Sequence, residues 1–60
     1  MKNQRVRAAA KAHGVLLWEI AERIGITDSN FSRKMRRELP ESEQTQLISI
    51  VDQIAAERGA

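Results

Sequence analysis

The sequence is short of nearly everything that staples a small fold. It has no cysteine, which excludes disulfides and thiolate metal sites and leaves helix packing to hold a core; a reducing compartment suits such a chain. Its two aromatics are Trp18 and Phe31, and His13 is its only histidine. No apolar run approaches the roughly 18 residues of a membrane span, and the first residues lack the apolar core of a signal peptide. A soluble, cytoplasmic chain that touches no membrane is therefore expected. There is no glycine-rich phosphate loop, repeat or low-complexity tract, and the 60 residues allow one domain, 1–60. A core of this size contributes only roughly 3–5 kcal/mol of net stability.

The same scarcity argues against an enzyme. His13 sits beside Gly14 at a helix end, where interaction with the helix C-terminus or plain exposure accounts for it. Glu19 and Glu22 lie three apart on a helix but lack a second histidine or a cysteine to complete a ligand set. Ser29 and Ser32 have no base to activate them. No catalytic residue, metal, cofactor or small-molecule ligand is expected.

What is present is helical periodicity and unevenly placed charge. Residues 1–37 hold Lys2, Arg5, Arg7, Lys11, Arg23, Arg33, Lys34, Arg36 and Arg37 against Glu19, Glu22 and Asp28, nine minus three, or +6. Residues 38–60 hold Glu38, Glu41, Glu43, Asp52 and Glu57 against Arg58, five minus one, or −4. Such a division suits a chain with one side facing a polyanion. The competing explanation is local helix electrostatics, with Glu41 and Glu43 at a helix start and Arg58 at its end.

The periodicity predicts four helices and no strand. The first runs from about Asn3 to His13, burying Val6, Ala9 and Ala10, and ends at Gly14 in a left-handed cap with Val15 folded beneath it. The second carries Ile20, Ala21 and Ile24 inward and stops at Gly25, with Ile26 returning to the core. Thr27 restarts the chain as an N-cap, with Asp28 favourable to the dipole, and Phe31, Met35 and Leu39 face inward from a helix over about 28–38. Pro40 disfavours helix in its predecessor and can open the last helix, in which Leu47, Ile48, Ile50, Val51, Ile54 and Ala55 form a broad apolar face.

At about 100° per residue, Ser29, Asn30, Arg33, Arg36 and Arg37 share the arc opposite Phe31 and Met35. An apolar inner face and a guanidinium-rich outer face, presented after a short turn, suit a helix that enters a DNA major groove. Through Ile20-Ala21, Ile24-Gly25-Ile26 and Phe31, the segment from Leu17 to Arg36 resembles the helix-turn-helix of the Cro and phage-repressor type regulators, the xenobiotic-response-element-like family. The resemblance covers nearly the whole chain. It implies an all-α bundle of four helices of the lambda-repressor type that binds double-stranded DNA as a small bacterial or phage transcriptional regulator, in the cytoplasm at the nucleoid, with a two-fold homodimer as the functional unit.

On that reading Ser29, Asn30 and Arg33 are the base-reading candidates, and Arg23, Thr27, Lys34, Arg36 and Arg37 the phosphate-contacting ones. Thr27 and Asp28 cap the helix or approach the DNA. Lys2, Arg5, Arg7 and Lys11 either touch phosphates or form a solvated face. The chain departs from the family at Leu16, Leu17 and Trp18, where polar residues are usual, and a short helix that many relatives insert before the last is missing or merged here. Either Trp18 and one leucine enlarge the core against the first or last helix, or the three form a partner or dimer patch. The patch defines the rival function, a protein-interaction module on the same fold.

Overall fold

The computed structural model describes residues 2–59; the two end positions of the expected 1–60 domain lie outside the described residues. Helix α1 spans Gln4–His13, α2 Leu17–Ile24, α3 Asp28–Met35 and α4 Glu41–Gly59. No strand occurs among the described residues, and no described helix is long and apolar enough to cross a membrane. The radius of gyration of 10.7 Å is close to the roughly 10.4 Å expected of a compact 60-residue domain.

The first two helices end in the same way, and the glycines explain it. Gly14 and Gly25 adopt φ of 67° and 83°, a left-handed conformation that costs a residue without a Cβ little. That turn lets Val15 N–H donate to Ala10 O (2.8 Å) and Ile26 N–H to Ala21 O (3.1 Å). Both satisfy carbonyls that the helix end would orphan and swing the next apolar residue inward. Val15 is buried as expected, and Ile26 is half-buried against the core. At the start of α2 the Glu19 carboxylate accepts the Leu16 N–H (2.8 Å), the reaching-back half of a capping box.

The core lies where α4 crosses α1 and α2, with α3 packed on α2. Val6, Ile20, Phe31 and Val51 are almost wholly buried and meet there. Ala21 is also buried, and its small side chain permits the close approach of α2 to its neighbours. In α4 the fully buried stripe is Gln44, Leu47, Val51 and Ile54, whereas Ile48 and Ile50 are only partly covered. The inward face is therefore narrower than the apolar sequence implies, because one layer of helices lies against it. Ala9 is likewise only partly buried.

Two expectations need correcting. Trp18 does not enter the core: it is 49% exposed, lying along the end of α4 beside Ile54 and Glu57. Leu17 is the one of the three that packs inward. The helix expected over 28–38 stops at Met35, with Arg36 and Arg37 in a turn and bend beyond it. Pro40 alone would have allowed the helix to continue to residue 38; the backbone beyond Met35 is instead held by a side chain from the other end of the chain.

Candidate nucleic-acid interface

That side chain is Asn3. It precedes α1 with φ 57°, a left-handed conformation that asparagine tolerates better than most residues, and it is completely buried. Its amide Nδ2 donates to Met35 O (2.9 Å) and Arg37 O (2.7 Å), and Leu39 N–H donates to its Oδ1 (2.8 Å). One side chain thus satisfies three backbone groups in the segment after α3, where helix carbonyls have no intrahelical partner. The Asn3 N–H donates in turn to Glu38 Oε1 (2.9 Å), and the Gln44 amide donates to Glu38 Oε2 (2.9 Å) and Leu39 O (2.8 Å). No buried side-chain polar atom among the described residues is left without a partner.

The network fixes the charge on Glu38. The Asn3 N–H bond foremost, and then the Gln44 amide and the nearby Lys2, hold its carboxyl below the usual carboxylate range. A depressed folded pKa contributes stability that is fully present above the unfolded value of about 4.3 and lost as pH falls through the folded value. Glu57 is lowered by Arg23 in the same sense. Glu38→Gln should therefore lower the melting temperature at pH 7 and make its decline between about pH 5 and pH 3 shallower than in the wild type. Parallel acid declines, read by circular dichroism, would show that Glu38 carries none of that dependence.

On α3, Thr27 performs the capping role: its Oγ1 accepts the Asn30 N–H (3.1 Å). Phe31 and Met35 point inward, and Ser29, Asn30 and Arg33 are exposed on the opposite side. A shallow groove passes from Asn30 and Arg33 to Arg37 and Pro40. Arg36 and Arg37 are exposed just past the helix end. Among the described residues no carboxylate lies within ion-pair distance of Arg33, Arg36 or Arg37.

The other two cationic candidates are occupied from α4. Arg23 is gripped at both guanidinium nitrogens by Glu57 (3.0 and 2.6 Å), a bidentate pair that fixes its direction. Lys34 pairs with Glu43. Part of the charge division along the chain is thus cancelled between helices, since acidic residues of α4 pair with cations of α2 and α3. Arg7 donates from Nε to Lys2 O (3.0 Å), and His13 faces Asp52 at 3.5 Å. No group of three or more metal-ligating side chains occurs among the described residues.

Leu16, Leu17 and Trp18 do not border one surface. Leu16, 57% exposed, borders with Leu17 an apolar groove against Ala10 and Val15 of the first helix and its cap, flanked by Arg7 and Lys11. Trp18 borders a separate groove lined by the ion pairs Arg23–Glu57 and Arg58–Glu19. Leu17 and Trp18, successive in α2, diverge by about 100°, and Leu16 precedes them in extended conformation.

Sequence reading missed Asn3, Gln44 and Arg58 as organising residues. Gln44 could have been found as the one polar residue on the stripe that continues through Leu47, Val51 and Ile54. Arg58 pairs with Glu19 and donates to Gly14 O (3.0 Å), tying the end of α4 to the α1–α2 junction; nothing local to Arg58 signals this. Comparison of the chain with protein-family models, with curated proteins and with solved structures found no match.

Proposed function

We propose that this chain is a DNA-binding module of the helix-turn-helix type, a small transcriptional regulator in which α2 and α3 form the motif and α3 enters the major groove. The observation that carries the reading is the outer side of α3: Ser29, Asn30 and Arg33 exposed on a capped helix, followed at once by Arg36 and Arg37, with none of these arginines paired to a carboxylate among the described residues. A cluster of uncompensated guanidinium groups repels itself and is relieved by a polyanion. Ser29, Asn30 and Arg33 are then placed to meet base edges, with Arg33 able to pair bidentately with guanine. Arg36 and Arg37 hold phosphates. Arg23 and Lys34, engaged by Glu57 and Glu43, have lesser parts. Two copies would read an inverted repeat with their α3 helices about 34 Å apart, one turn of duplex.

Fluorescence anisotropy with a labelled random-sequence duplex tests the reading. Binding is expected at low salt, with log K falling linearly as log salt rises, by about 0.9 per phosphate neutralised. Absence of binding at low salt, or affinity indifferent to salt, would count decisively against it. The exposure of Leu16 and Trp18 supports the rival reading, a protein-interaction module. That reading predicts concentration-dependent association in sedimentation, weakened by Leu16→Ala or Trp18→Ala, in a chain that ignores DNA.

A further inference from the structure

We infer that Asn3 is the positioning residue of the DNA-contacting segment: without touching DNA, it sets where Arg36 and Arg37 stand relative to α3. The inference rests on the DNA-binding reading above and adds to it a residue from the opposite end of the sequence. Arg36 caps α3 with helical dihedrals (φ −72°, ψ −18°), but Arg37 lies beyond it in a bend, so helix geometry does not carry on through the pair. Turn hydrogen bonds do part of the work, from Arg36 N–H to Arg33 O (3.2 Å) and from Arg37 N–H to Lys34 O (3.3 Å), but both are long. The shorter contacts are those of Asn3, at 2.7 Å to Arg37 O, 2.9 Å to Met35 O and 2.8 Å from Leu39 N–H. They bracket the two arginines on both sides.

Burial strengthens the clamp. Asn3 is wholly excluded from solvent; its bonds with Met35 O and Leu39 N–H are buried and that with Arg37 O partly so, and a buried carbonyl losing its donor bears the full desolvation penalty. Glu38 and Gln44 brace Asn3 and Leu39 from the other side. Released from Asn3, residues 36–38 would be free to fray into other turns, and each arginine would have to be ordered afresh on binding. Ordering that loop in advance is what gives Asn3 an effect on affinity.

Asn3→Gly is the variant of choice, because glycine accepts the left-handed backbone at this position whereas alanine would add strain. Asn3→Asp is the second variant: it keeps the acceptor for Leu39 N–H, loses both donors, and serves if Asn3→Gly does not fold. Each is combined with Arg36→Ala/Arg37→Ala in a double-mutant cycle, with binding to a random-sequence duplex measured at several salt concentrations and temperatures below every variant's melting transition. The expected result is an affinity loss of about tenfold and a salt slope shallower by about one contact in the Asn3 variant, both absent when the two arginines are already alanine. A merely structural role would lower the melting temperature and leave the affinity losses additive. Additive losses with an unchanged salt slope overturn the inference and leave the DNA reading standing. Failure of the wild type to bind duplex overturns the DNA reading, and the inference falls with it.

Discussion

Phe31→Ala is expected to leave the chain unfolded at room temperature. Phe31 is 1% exposed and sits where α3 meets α2 and the core; removing a buried phenyl ring costs about 3–5 kcal/mol through lost burial and the cavity left behind. A core of this size contributes roughly 3–5 kcal/mol in total, and no disulfide backs it up. The loss is therefore comparable to the whole. Trp18→Ala removes a larger side chain from a site that is 49% exposed, so it should cost about half as much or less, roughly 1–2 kcal/mol, and remain folded. The order is the reverse of what side-chain size alone predicts. Circular dichroism melts of the three proteins decide the matter: a cooperative Phe31→Ala transition near that of the wild type, or an unfolded Trp18→Ala, would mean that the core is organised differently.

The second large effect concerns recognition. Arg33→Ala should cost about 1–3 kcal/mol on the preferred site and relax the preference at one base position. Arg33 projects from the exposed face of α3 in its last turn, one turn nearer the helix start than Arg37, and the N-terminal part of such a helix is the end that reaches base edges. Arg37→Ala should weaken all duplexes alike and lower the salt slope by about one contact. Arg23→Ala should leave the slope unchanged, since Glu57 already holds its guanidinium. The measurement is a titration of the three variants on a site selected from a random duplex pool and on its single-base variants, at two salt concentrations. If Arg33→Ala weakened every duplex equally while Arg37→Ala altered base preference, the assumed orientation of α3 would be reversed. A shallower slope for Arg23→Ala would mean that DNA displaces Glu57.

Much of this architecture is legible residue by residue, and the legible parts are local ones. Gly14 and Gly25 end helices because a left-handed residue is needed to close each helix end, and Thr27 caps α3 because a hydroxyl three residues from a free N–H can reach it. Phe31, Met35 and Leu39 recur at helical spacing and are buried, although Leu39 lies past the helix. The acidic character of α4 and the basic character of α3 are equally plain from composition.

The largest of the features that periodicity could not supply join residues more than thirty positions apart. Asn3 looks like an ordinary polar residue before a helix; only folding brings it to Met35, Arg37 and Leu39, where it holds the backbone just after α3. Arg23 and Glu57 carry no mark of their pairing, yet that pair removes Arg23 from the cations free of a carboxylate. Trp18 looks like core by size and is half-exposed, because the start of α2 aims Leu17 inward and Trp18 about 100° away from it. The sequence by itself determined four helices, their caps and the contrast between the two sides of α3, since each depends on backbone conformation and on neighbours within one or two turns. Which cations remain unpaired, where α3 stops and what holds the two arginines beyond it were decided only by the tertiary structure, because a hydrogen bond or ion pair depends on distance in space, which spacing along the chain does not fix.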